Sequence, residues 1–96
     1  MRVIAHLPHP TIKITVFKND GRFPIQFERD GLSQIYRFRE SDRLRGLDDV
    51  KKLLTDDLLL TVQEQFRVMA AAHSRALATF APASPPDPLD GLPDII

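Results

Sequence analysis

Between residues 12 and 38 apolar and polar positions alternate with a period of two, the mark of strands with one buried face. Ile12, Ile14 and Val16 alternate with Lys13 and Thr15. Phe23, Ile25 and Phe27 alternate with Pro24, Gln26 and Glu28, and Tyr36 and Phe38 flank Arg37. Two Asp-Gly steps, Asp20-Gly21 and Asp30-Gly31, separate the runs. Asp-Gly between alternating apolar residues predicts a two-residue hairpin turn, because both turn positions need positive φ and glycine adopts it without steric cost.

Those turns set a register. A two-residue turn at Asp20-Gly21 puts Val16 opposite Ile25 and Ile14 opposite Phe27. The same turn at Asp30-Gly31 puts Ile25 opposite Tyr36 and Phe23 opposite Phe38. All the large apolar residues then share one face, an agreement that a slip of one residue would destroy. Pro24 is discordant: it has no N–H to offer Phe17, so the ladder should fray or bulge near the first turn. The opposite face carries Lys13, Thr15, Gln26, Glu28, Ser33 and Arg37, together with Phe17 and Ile35. The last two are either isolated exposed apolar residues or are covered by the tail or a partner.

Upstream, Val3, Ala5 and Leu7 alternate with Ile4 and His6, the pattern of a further short strand that Pro8 and Pro10 end. The opening Arg2-Val3-Ile4-Ala5-His6-Leu7-Pro8-His9-Pro10 followed by Thr11-Ile12-Lys13-Ile14-Thr15 resembles the start of a family of short uncharacterised bacterial proteins. The resemblance covers about the first third of the chain and implies no function.

The second half changes period. Ser41 to Gly46 reads as a polar link, and Asp48 to Leu54 suits a short helix with acids in its first turn, where the helix dipole favours them. Thr55 reads as an N-cap. From Asp56 to Phe80 there is no Gly and no Pro. Such a helix is roughly 37 Å long at about 1.5 Å per residue. Leu59, Val62, Phe66, Met69, His73, Ala76 and Phe80 recur in steps of three and four, a heptad-like seam. A strand of six residues spans only roughly 20 Å. The helix should therefore overhang its sheet, and the overhang, rich in alanine, predicts self-association through Phe66, Met69, His73, Ala76 and Phe80.

Composition narrows the class. Ninety-six residues make one domain, and 43% hydrophobic with 27% charged residues is ordinary globular usage. Without cysteine, disulfides, cysteine–zinc sites and thiol nucleophiles are excluded. No segment reads as a signal peptide or a membrane span, so a cytoplasmic location is expected. The net charge is zero, which argues against a strongly basic nucleic-acid binder. The charge is nonetheless polarised: residues 1–45 hold nine basic and five acidic side chains, and residues 46–96 hold four and eight. Residues 81–96 hold five of the eight prolines and three aspartates, with Leu89, Leu92, Ile95 and Ile96 among them. They read as a Pro-rich acidic tail, either a spacer or a short docking peptide.

Candidate chemistry is sparse. His6 and His9 flank Leu7-Pro8 in an extended segment that splays them apart, and His73 lies on the helix seam. The adjacent pairs Asp48-Asp49 and Asp56-Asp57 diverge on a helix and suit its N-terminus, not an acid–base dyad. The four glycines are isolated, and no serine has a nucleophile-elbow context. No catalytic, metal or cofactor residue is assigned. The reading is one α+β domain over 1–80, an antiparallel three- to four-stranded β-meander followed by a short helix and one long amphipathic helix, then the tail 81–96. The expected function is non-enzymatic protein binding or assembly, as a homo-oligomer or as an accessory subunit of a larger complex. The rival is single-stranded nucleic-acid binding through Arg37, Arg39, Arg43 and Arg45 beside Tyr36 and Phe38.

Overall fold

A computed structural model describes residues 1–80; the tail assigned to 81–96 lies outside the described residues. Four strands, β1 (Arg2–Leu7), β2 (Lys13–Lys18), β3 (Arg22–Arg29) and β4 (Leu32–Arg39), form one antiparallel sheet in sequence order. Two helices follow, α1 (Leu47–Leu53) and α2 (Asp56–Phe80). The α+β meander with a short and a long helix is the architecture the pattern predicts.

The hairpins form as the turn chemistry requires. Asp20 and Gly21 have φ of 33° and 75°, and Asp30 and Gly31 have 48° and 81°. Positive φ at both positions matches the turn to the right-handed strand twist. The register follows: Ile14 faces Phe27, Val16 faces Ile25, Ile25 faces Tyr36 and Phe23 faces Phe38. Phe27 and Tyr36 meet edge to face, with ring centroids 5.6 Å apart. The β2–β3 ladder lapses after Val16↔Ile25 and closes again only at the Asn19–Arg22 bridge. The gap falls where Pro24 has no N–H to give.

The first strand departs from simple alternation. Its register against β2 shifts between Val3 and Ala5, leaving Ile4 as an extra residue. Ala5 and Leu7 lie opposite Val16 and Ile14 and pack on the core, whereas Val3 lies opposite Phe17 on the other face. A bulge of this kind also blunts the edge that β1 presents to other chains.

One face of the sheet is buried by the helices. Ile12, Ile14, Val16, Phe23, Ile25, Phe27, Leu44, Val50, Val62 and Phe66 form a single core. Leu44 sits in the link that reads as polar, where Ser41 and Leu44 exchange two backbone hydrogen bonds and turn the leucine inward. Gln34 stands on the core face between Leu32 and Tyr36. Its amide nitrogen donates to the Val62 carbonyl at 2.9 Å, and its oxygen accepts from the Tyr36 hydroxyl at 2.6 Å. A polar chain thus ties β4 to α2 with both amide ends satisfied.

Helix ends are set locally. Thr55 caps α2, its Oγ1 accepting the Leu58 N–H at 3.2 Å. Gly46 offers α1 no capping side chain, so Asp49 accepts the Arg45 backbone N–H at 2.9 Å instead. That hydrogen bond comes first in holding the Asp49 carboxyl below the usual aspartate range, with Arg45 and Lys52 adding attraction against partial desolvation.

Two tests follow. Phe66 and Phe80 lie on the same helix face, but Phe66 is 2% exposed and Phe80 is 87% exposed. Phe66→Ala should cost about 3–5 kcal/mol, and Phe80→Ala should leave the denaturation midpoint of a dilute sample almost unchanged. The depressed Asp49 carboxyl contributes stability above its unfolded titration range, and this is lost as pH falls through the folded one. Asp49→Asn should therefore lower the melting temperature at neutral pH and have little effect in acid, as read by circular dichroism.

Candidate functional site

The long helix leaves the sheet at a definite place. Val62 lies over Gln34, and Phe66 and Ala70 lie beside Leu32 and Asp30, so α2 runs antiparallel to β4 toward the Asp30-Gly31 turn. Leu58, Leu59, Val62, Phe66 and Met69 pack on the core. Every residue from Ala70 to Phe80 is exposed. These eleven residues project roughly 16 Å beyond Met69 at about 1.5 Å each.

The projecting part keeps the apolar face of the packed part. His73, Ala76 and Phe80 continue the line of Val62, Phe66 and Met69, and Leu77, 55% exposed, widens it. Of the residues proposed for a helix interface, Phe66 is drawn into the molecule's own core and Met69 is half-buried at its rim. His73, Ala76 and Phe80 stand free. Where the helix departs, a cleft of about 470 Å³ opens between it and the turn, lined in part by Leu32, Leu60, Phe66 and Ala70 and rimmed by Arg29 and Arg67. The cleft is a tertiary product with no sequence signature, since its walls come from segments some thirty residues apart.

The outer face of the sheet is the second feature. Val3 lies opposite Phe17, and Val3 and Ile35 are 48% and 43% exposed. At one end of this face Arg22 lies directly opposite Arg39, and Arg37 is opposite the buried Pro24. Like charges facing across two strands repel. Among the described residues no carboxylate lies within ion-pair distance of Arg22, Arg37 or Arg39, whereas Lys13, Lys18 and Arg29 pair with Glu28, Glu40 and Asp30.

The four arginines of the basic surface have different settings. Arg37 and Arg39 share the outer face, but Arg43 lies in the link and Arg45 is held by Asp49, Nε to Oδ2 at 3.7 Å. Tyr36 and Phe38 face the core, and the aromatic on the same face as Arg37 is Phe17, two strands away on β2. Arg22 joins the cluster instead, visible in the sequence only once the second hairpin register is drawn.

His6 and His9 serve the fold. His9 Nδ1 lies 3.2 Å from both the Thr11 and Ile12 backbone nitrogens and accepts from them, which stabilises the turn into β2. His6 Nδ1 lies 3.3 Å from the hydroxyl of buried Thr15. Among the described residues no group of three metal-ligating side chains converges. No helix among them is long and apolar enough to cross a membrane. Comparison with protein families, with curated proteins and with solved structures finds no match.

The arginine cluster yields a stability test. Arg39→Glu turns the Arg22↔Arg39 repulsion into an attraction, and cross-strand pairs contribute about 0.2–1 kcal/mol. The variant should melt a few degrees higher at low salt, and the gain should shrink at high salt.

Proposed function

We propose that the chain is a non-enzymatic protein-binding and assembly module, working as a homo-oligomer or as a small accessory subunit of a larger complex. The observation that carries this reading is the eleven-residue end of α2, wholly exposed yet bearing the apolar face that packs the core one turn earlier. An amphipathic helix gains stability by burying its apolar stripe, and isolated helical segments shorter than about 12 residues are marginal in water. A partner helix or groove would supply the missing cover.

The reading is tested by mass in solution. Ala76 is exposed on the seam, so Ala76→Glu puts a charge on the interface without touching the core; Met69 is half-buried and would confound the result. Light scattering should give a mass above the 10.9 kDa of one chain for the wild type, or for its complex with a co-purified partner, and a lower mass for the variant. A wild type at 10.9 kDa with no retained partner would refute the reading.

A second reading rests on Arg22, Arg37 and Arg39, which have no ion-pair partner among the described residues and would contact the phosphates of a single strand laid over the outer face. Affinity would then be electrostatic and fall steeply with salt. Replacing the three arginines with glutamine should abolish a gel shift at about 50 mM salt. No shift by the wild type would remove this alternative.

A further inference from the structure

The outer face of the sheet carries two chemistries side by side, and one class of ligand uses both. We propose that this face binds single-stranded nucleic acid, with Phe17 as the platform on which a base stacks and Arg22, Arg37 and Arg39 as the contacts to the flanking phosphates. The proposal rests on the outer-face reading above and adds the residue that engages the bases.

Register brings these residues together. Val16 faces Ile25 and Asn19 faces Arg22, so between them Phe17 comes level with Pro24. Val3 lies opposite Phe17, and Arg37 lies opposite Pro24. One row across the four strands therefore reads Val3, Phe17, Pro24, Arg37. Arg22 and Arg39 face each other two residues further along the same face. With strands about 4.8 Å apart and about 3.3 Å between residues along a strand, the Cα of Phe17 lies roughly 8 Å from that of Arg22, roughly 10 Å from that of Arg37 and roughly 12 Å from that of Arg39. Extended arginine side chains span much of that gap.

Each half of the arrangement has its own consequence. Guanidinium groups donate hydrogen bonds and accept none. Among the described residues no carboxylate lies within ion-pair distance of these three. The Arg22↔Arg39 opposition costs the isolated sheet stability, and a phosphate between the two reverses the sign. Pro24 is fully buried although it belongs to this face, and Phe17 and Arg37 flank it in the row. Phe17 is half-buried. A ring held in this way has already lost part of its rotamer freedom, which lowers the cost of stacking on it.

The aromatic decides between anionic partners. Charge alone would suit an acidic peptide equally, but aspartate and glutamate gain nothing from Phe17. Every nucleobase has a π-face that stacks on such a ring, and a positively charged track beside it follows the backbone. In a duplex those faces are covered by neighbouring bases, so the ring favours the single strand. Exposed Ile35, two residues from Arg37 on β4, extends the apolar step beside the arginines.

Fluorescence anisotropy with a labelled thymidine homopolymer in about 50 mM salt tests this. Phe17→Leu keeps apolar bulk beside Pro24 and removes the π-face; it should weaken binding about tenfold, and Phe17→Tyr should keep wild-type affinity. Neither should change the salt dependence. Replacing Arg22, Arg37 and Arg39 together with glutamine should lower the slope of log affinity against log salt by about two, since each phosphate contact on a single strand contributes about 0.7. Circular dichroism melting checks that each variant is folded. Wild-type binding that Phe17→Leu leaves unchanged would overturn the stacking role and leave the outer-face reading standing. A duplex bound as tightly as the single strand, or displacement of the oligonucleotide by polyglutamate of equal charge, would overturn both, because the face would then answer to charge alone. No binding by the wild type would also end both.

Discussion

A mismatch of length governs this molecule. The strands have six to eight residues, and the helix laid across them has twenty-five. An eight-residue strand covers roughly 26 Å at about 3.3 Å per residue, and the helix runs roughly 37 Å. A helix that starts over the middle of the sheet must run off its end. The buried residues Val62 and Phe66 lie in its first half, and among the described residues none beyond Met69 packs on the core. The apolar face does not stop where the sheet stops. A charged continuation would have been a solvated extension; a continuation through Ala76, Leu77 and Phe80 is a surface.

The sheet that anchors this helix owes its order to two short turns and one polar bridge. Asp20-Gly21 and Asp30-Gly31 adopt the backbone geometry that matches strand twist, and every cross-strand partner follows from them. The Tyr36–Gln34–Val62 chain then links β4 to the helix. A half-buried hydrogen-bond chain with both amide ends satisfied favours one arrangement where apolar packing alone would tolerate several. It thereby sets the point at which α2 leaves the sheet, and with it the cleft at the Asp30-Gly31 turn.

The two faces of the sheet divide the remaining chemistry. On the inner face the one lysine at the rim, Lys18, is doubly held, over the Phe23 ring at 4.4 Å and by Glu40 at 2.7 Å. On the outer face Arg22 and Arg39 confront each other without such compensation among the described residues. The basic surplus of the first half of the sequence is thus concentrated at one end of one face. That end is remote from the projecting helix, which leaves over the opposite end of β4. Helix pairing and an outer-face ligand would not compete for space.

Much of this was determined by the sequence alone. Period-two alternation with two Asp-Gly steps dictates the hairpins and their register, because a shift of one residue exposes every apolar side chain. Thr55 and the unbroken stretch to Phe80 dictate the long helix, because only Gly or Pro would have interrupted it. Its overhang followed from length. Tertiary structure decided what local pattern does not encode. The seam from Leu59 to Phe80 reads as uniform, yet the sheet edge divides it, taking Phe66 into the core and leaving Phe80 outside. Leu44 looks like part of a polar link until the Ser41–Leu44 turn aims it inward. The bulge at Ile4 sends Val3 to the outer face against the simple alternation, since one extra residue inverts the parity of the strand before it. Arg45 left the basic cluster and Arg22 entered it, because ion pairing and strand register act between residues distant in sequence.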